Sequence, residues 1–329
     1  MKQYRIAIAG FRHAHIFDLY ERVKKHPRFA LAATCEEDVA NSLLPARKIR
    51  PDFTSFDEML AKVPCDAVAL GGCYGDRGAL ALKVLRAGRH VIADKPLCTS
   101  LDELEAIEKA VWDTGRKVGL MLDMRDQANL RTLRDIIEAG EIGTVQTISA
   151  AGQHPLLHGT RPDWYFEPGK HGGTINDIAV HIADFAPWLA GSAIDAVVAA
   201  RAWNAKASFA SHFKDCAQFM FRLSSGAGVI GDVSYLAPDA CGYTTPDYWR
   251  ITVHGTKGTA STSWNSQGVS VATDHDREPR IVAAAAGRPG GYLEDFLAEL
   301  DGTQKPDSVH TAAVLSASRW ALETQAAAS

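Results

Sequence analysis

Short apolar runs alternate with helical stretches through the first ~120 residues, and no other feature of the chain constrains its fold as tightly. Arg5 to Ala9, Phe29 to Cys35, Ala67 to Leu70, His90 to Ala93 and Lys117 to Leu122 read as strands. Between them lie helical stretches with start and stop signals of their own. One is opened by Ser55 or Asp57 and another by Ser100 or Asp102, while Gly88 and Gly115 stand where C-terminal caps are expected. Strands with no polar alternation are buried on both faces, and strand–helix alternation makes them parallel. The alternation therefore predicts a doubly wound parallel sheet, with helices on both faces, over residues 1–122.

Residues 123–329 have another rhythm. A helix is predicted near 128–139 and a strand near 144–150. A loop rich in His, Pro and aromatics follows over 153–173, then a helix over 174–189. Strands near 196–203, 216–223, 228–235, 249–254 and 259–264 come in quick succession. Ser224-Ser225-Gly226 makes a hairpin turn between two of them. These predict an α+β domain with an open, mostly antiparallel sheet, closed by helices near 291–300 and 307–324. With 329 residues the chain suits about two domains. The formal charge of -4 gives no basic surface for nucleic acid or an anionic membrane. No apolar run reaches the ~18 residues a membrane span needs. The first residues, Met1-Lys2-Gln3-Tyr4, lack the layout of a signal peptide, so a cytoplasmic location is expected. The six cysteines form no CxxC pair, which points to reduced thiols rather than a metal ribbon.

Four places carry candidate chemistry. The turn after the first strand reads Gly10-Phe11-Arg12-His13-Ala14-His15, where a dinucleotide loop would have three glycines. Only the first is present. The helix N-terminus behind it can still attract phosphate, and Arg12 either clashes with a diphosphate or salt-bridges it. His13 and His15 form an HxH pair, but spacing identifies no further ligand and no metal is expected. Glu36, at the end of the second strand, is placed to accept hydrogen bonds from ribose hydroxyls and to repel a 2′-phosphate, favouring NAD over NADP; Glu37 and Asp38 compete for that role. Asp94-Lys95-Pro96 closes a central strand, where a lysine can hold a substrate hydroxyl and stabilise an alkoxide. Asp177 and His181 stand four apart in a helical stretch, a carboxylate beside an imidazole as a general base requires.

Taken together, these segments resemble the Gfo/Idh/MocA family of glucose–fructose oxidoreductase and inositol dehydrogenase. Asp94-Lys95-Pro96 resembles its Glu-Lys-Pro motif, and Ala87-Gly88-Arg89-His90-Val91 leads into it in the same way. Arg125, with Glu138 to Gly143, resembles the crossing into its second domain. His171 to Asp184 resembles its glycine-rich segment with Asp-x-x-x-His, and Gly255 to Gly258 a sheet hairpin. The resemblance implies an NAD(P)-dependent oxidoreductase that passes a hydride between a nicotinamide and a sugar, polyol or sugar-acid hydroxyl. It implies Lys95 as the substrate lysine, His181 as proton acceptor and Asp177 as the residue that orients both. It also implies a homo-oligomer, dimer or tetramer. Gly72, Cys73 and Arg77 replace residues the family keeps near the cofactor, and join Gly10, Phe11, Arg12, His13, Glu36, Asp94 and Lys95 as the expected cofactor contacts. Arg125, His154 and Trp164 join Lys95, Asp177 and His181 as the expected substrate contacts. The alternatives are a glycosidase, epimerase or lyase that works through bound NAD without net redox, and an inactive binding homologue.

Overall fold

A computed structural model describes residues 2–328. The chain divides into two compact units. The first comprises residues up to Met121 together with Gly159–Gly172 and Tyr292–Leu315; the second takes Leu122–His158, Gly173–Gly291 and the chain from Ser316 on. Two stretches from the 123–329 half are thus built into the first unit.

The first unit is a five-stranded parallel sheet in the order β2-β1-β3-β4-β5. Its strands are β1 (Tyr4–Ala9), β2 (Phe29–Cys35), β3 (Ala67–Leu70), β4 (His90–Ala93) and β5 (Val118–Leu120). Between them run α1 (Ile16–Lys25), the short α2 (Leu44–Arg47), α3 (Phe56–Lys62), α4 (Tyr74–Arg86) and α5 (Leu101–Thr114). Ser55 and Ser100 are the caps that open α3 and α5, accepting from the N–H groups of Glu58 and Glu103. β3 is buried throughout, as the uninterrupted apolar run required. Strand order reverses between β1 and β3, so the C-terminal ends of these strands form the crevice where such sheets take ligands.

The second unit holds α6 (Ala128–Glu138), β6 (Val145–Pro155), α7 (Val180–Ala190), β7 (Ile194–Trp203), β8 (Cys216–Leu223), β9 (Gly228–Ala237), β10 (Arg250–Gly255), β11 (Gly258–Thr262), β12 (Gly268–Thr273) and β13 (Arg280–Ala283). The sheet order is β13-β12-β11-β10-β6-β9-β8-β7. Every neighbouring pair is antiparallel except β6–β9, which is parallel. β12 and β13 were not anticipated from the sequence. β12 mixes its valines with Gly, Ser and Thr, and β13 is only four residues long, too short for a periodic signal. Two broad concavities of about 610 and 490 Å³ on this sheet are lined by residues such as Ser149, Arg250 and Gln218, and none of the expected site residues lines either.

The chain closes with α8 (Gly291–Leu300) and α9 (Thr311–Ala327). Tyr292, Leu293, Phe296 and Leu297 of α8 join the core of the first unit with Ile6, Ile8 and Ile92. Phe296 lies so close to β5 that a Cβ on Gly119 would stand 2.8 Å from its ring. Among the described residues, no helix is long and apolar enough to cross a membrane.

Candidate active site

The turn after β1 starts at Gly10, whose φ of +82° suits glycine alone. A Cβ there would stand 2.4 Å from the Gly72 nitrogen, so β1 and the chain after β3 meet backbone to backbone. The Phe11 ring is fully buried against Phe17 and Tyr20 and presents only backbone to the crevice. Its N–H donates to Glu36 at 2.6 Å, and the N–H of Asp38 donates to the same carboxylate at 3.0 Å. Burial pushes the Glu36 carboxyl up in pKa, and the two N–H groups oppose that. The N–H groups of Arg12 and His13 both point to the Gly71 carbonyl, at 3.2 and 3.3 Å. The Arg12 guanidinium pairs with Asp38 at 2.9 Å. This pairing, invisible in the sequence, accounts for the arginine in the loop without a phosphate partner.

Behind the turn, the end of β4 is locked by one side chain. Arg77 of α4 has no exposed surface. It donates to the carbonyls of Gly72, Asp94, Lys95 and Pro96 and to an Asp94 carboxylate oxygen, over 2.6–3.1 Å. With its donors committed to backbone and Asp94, Arg77 is a structural brace and not the cofactor contact expected from the sequence. Cys73 is also withdrawn: it is buried, and burial pushes its thiol up to about 11. Asp94 is fully buried. Burial would raise its pKa, but His13, Arg77 and His15 outweigh that and hold it well below the usual carboxylate range. Its Oδ2 lies 2.5 Å from His13 Nδ1. Lys95 is 5% exposed, with its ammonium 5.9 Å from the Tyr74 ring centroid.

Residues 159–172 supply the remaining wall of this unit. Trp164 is 1% exposed, and its indole N–H donates to the Arg12 carbonyl at 3.2 Å. It packs on Tyr74 and Tyr165, whose hydroxyls are 2.6 Å apart. A tryptophan buried on all sides has no face to offer a sugar, so the expectation of Trp164 as a substrate contact is corrected: it anchors the segment.

In the second unit, Asp177 and His181 lie where a π-turn, Ile175–Ala179, runs into α7. Such insertions recur at functional sites because they re-aim side chains. Asp177 is 2% exposed and His181 6%. The Tyr235 hydroxyl of β9 donates to Asp177 Oδ2 in a very short hydrogen bond. The His181 ring meets Trp249 edge-on, with centroids 5.3 Å apart. His154 stands edge-on to the same two aromatics, Tyr235 and Trp249, as well as to Tyr243 and Tyr248. Arg125 goes elsewhere: it grips both Asp184 carboxylate oxygens at 2.6 and 2.9 Å, an ion pair that ties the start of this unit to α7. Tyr235 and Trp249 were missed in the sequence; a buried Tyr on an alternating strand looks like ordinary core, and no local spacing links it to Asp177.

Two family models match this architecture. The oxidoreductase family, NAD-binding Rossmann fold model covers residues 4–121, and the GFO/IDH/MocA C-terminal domain model covers 130–261. The chain belongs to the Gfo/Idh/MocA oxidoreductase family. The 1,5-anhydro-D-fructose reductase of Ensifer adhaerens is 32% identical over 139 residues, 41% of either chain. Inositol 2-dehydrogenase 3 of Saccharopolyspora erythraea is 26% identical over 179 residues, 54% of this chain and 50% of that one. The alignments to these curated relatives thus span about half of their length or less. Among solved structures, the aldose-aldose oxidoreductase of Caulobacter crescentus, complexed with glycerol, aligns over 99% of this chain and 98% of its own with a TM-score of 0.79 at 19% identity. An Agrobacterium radiobacter oxidoreductase in complex with NAD+, L-tartaric acid and magnesium aligns over 99% and 97%, also with a TM-score of 0.79, at 18% identity. At such identities the likeness is one of fold.

The Rossmann unit of this Gfo/Idh/MocA protein retains features that suit the family's dinucleotide. Gly72 faces open space, since a Cβ there would meet no atom within 4 Å. The Gly10 turn and the Glu36 carboxylate meet at the same end of the sheet. The two missing glycines are answered by Arg12, tied back to Asp38, and by His15, whose side chain is 53% exposed.

Proposed function

We propose that this protein is an NAD-dependent dehydrogenase or reductase acting on a hydroxyl of a sugar, polyol or sugar acid. The observation that carries the reading is the burial of Asp177, on the π-turn, and of His181, in the first turn of α7, with Tyr235 donating to the carboxylate and Trp249 edge-on to the imidazole. A hydroxyl-bearing substrate needs such a base to take the proton that departs as the carbonyl forms. In this reading His181 is the proton acceptor, Asp177 orients the substrate hydroxyl and the imidazole, and Tyr235 positions Asp177. Lys95, held in a rigid turn by Pro96 and Arg77, binds the substrate oxygen and stabilises its developing negative charge. His154, edge-on to Tyr235 and Trp249, contributes to the substrate wall of the second unit. A bound nicotinamide supplies hydride exchange. The backbone of Gly10 to His13 and Gly72 would hold the dinucleotide, and Glu36 would receive the ribose hydroxyls. A buried carboxylate repels a 2′-phosphate, which supports NAD over NADP. The carbohydrate and polyol activities in the names of the relatives above support the substrate class.

A second reading, an inactive binding homologue, has one observation in its favour: the first N–H groups of the turn are spent on Glu36 and Gly71. Calorimetric titration with NAD and NADP separates the two, followed by a polyol and sugar-acid panel monitored by nicotinamide absorbance. NAD binding with substrate-dependent reduction, lost in His181→Ala, is the expected result. Failure of both dinucleotides to bind removes the dehydrogenase reading. Turnover of a sugar without net NADH would move the assignment to the non-redox alternative.

A further inference from the structure

The HxH pair of the degenerate loop gains a third partner in the folded chain. His13, His15 and Asp94 bring their ligand atoms within 4.8 Å of one another. Asp94 is separated from His13 by 81 residues, so only the folding of the turn after β1 across the end of β3 to the end of β4 creates the group. We propose that these three residues form a binding site for a divalent transition metal of the zinc class. Two imidazoles and one carboxylate are a donor set that such ions favour over magnesium or calcium.

The fit is close without being complete. Tetrahedral bonds of about 2.0–2.2 Å put ligand atoms about 3.3–3.5 Å apart. His15 Nδ1 and Asp94 Oδ1 are already 3.3 Å apart. His13 Nδ1 and Asp94 Oδ2, at 2.5 Å, would part by under about 1 Å to admit an ion. Asp94 Oδ1 supplies an independent sign. It is buried and accepts no hydrogen bond among the described residues, although a lone carboxylate oxygen in that state is costly. His15 approaches it without hydrogen-bond alignment, and a cation would satisfy it. The outer contacts are in place as well. His13 Nε2 is 3.2 Å from the Tyr74 hydroxyl, whose oxygen can accept a hydrogen bond from Nε2–H when Nδ1 turns to the metal, and Tyr74 is held by Tyr165 at 2.6 Å. Arg77 already occupies Asp94 Oδ2 at 3.1 Å, and this nearby positive charge sets the affinity below that of a structural zinc site. Three protein ligands with His15 on the solvent side leave the fourth position open to water or another oxygen ligand.

The test uses the whole 329-residue chain, stripped of metal with a chelator and titrated with Co2+ and then Zn2+. The expected result is one equivalent of Co2+ with visible d–d absorption, displaced by Zn2+. His15→Ala should weaken binding by on the order of 100-fold and abolish the band, with the fold intact by circular dichroism because the side chain is half-exposed. His212→Ala, at an exposed histidine elsewhere, should leave both unchanged. Absence of saturable Co2+ or Zn2+ binding would overturn the proposal. So would binding that His15→Ala leaves intact.

Discussion

Replacing Arg77 with Met removes every hydrogen bond that holds the Asp94-Lys95-Pro96 turn to α4, while keeping much of the side-chain volume. Four backbone carbonyls and one carboxylate oxygen lose a donor inside a site with no exposed surface on Arg77 or Asp94. Charging each loss separately at about 1–3 kcal/mol would overshoot, because the groups share one donor and water can enter. Truncating one partner of a buried ion pair costs about 3–5 kcal/mol, and that range is the expected destabilisation. It is a large part of the roughly 5–15 kcal/mol that stabilises an ordinary domain. Urea unfolding of the full chain, followed by far-ultraviolet circular dichroism, should show an early transition with an unchanged m-value if unfolding stays cooperative. Asp94→Leu combined with Arg77→Met should recover at least about 2 kcal/mol relative to the sum of the single changes, since removing both charges leaves neither uncompensated. A cost below about 1 kcal/mol for Arg77→Met, or strict additivity in the double variant, would show that the brace is not what holds the turn.

Tyr235→Phe deletes the donor to the buried Asp177 carboxylate and should cost about 1.5–3 kcal/mol in stability. Its acidic limb in the pH profile of kcat/KM should move upward, because Asp177 loses a hydrogen bond that favours its charged form; an unmoved profile would mean Tyr235 is only packing. Burial holds His90 at about 4, below its ordinary 6.5, and its Nδ1 accepts from the Lys117 N–H at 2.9 Å. A depressed histidine is neutral in the folded state, so its contribution is complete above 6.5 and is lost as pH falls from 6.5 towards 4. Denaturant midpoints measured across that window should fall with pH, and His90→Gln should flatten the slope. Gly10→Ala meets both a positive φ and the Gly72 backbone, and should lower stability by about 2 kcal/mol or more by thermal unfolding.

Local chemistry determined much of this protein in advance. The apolar runs at β1, β2 and β3, Ser55 and Ser100 as caps, and Gly88 after α4 act through neighbours in the chain, so periodicity and residue type predict them. Asp177 and His181 are legible as candidates in the same way, an acid and an imidazole four residues apart in a helical stretch, but the π-turn at Ile175–Ala179 that sets the aim of Asp177 is not. What lay beyond reach depended on partners distant in sequence. Asp94 meets His13 and His15 because the turn after β1 and the end of β4 converge at the same end of the sheet on either side of β3, Tyr235 reaches Asp177 across 58 residues, and Arg125 spends its charge on Asp184. Trp164, an expected substrate contact in a loop rich in His, Pro and aromatics, is buried in the first unit by tertiary packing and gives its N–H to the Arg12 carbonyl. Arg12 and Arg77, read as candidate phosphate or cofactor contacts, turned out to be satisfied by Asp38 and by the turn after β4. A sequence displays a donor but not its acceptor, and whether a charged side chain serves a ligand or the fold is decided by which acceptors folding brings within about 3 Å of it.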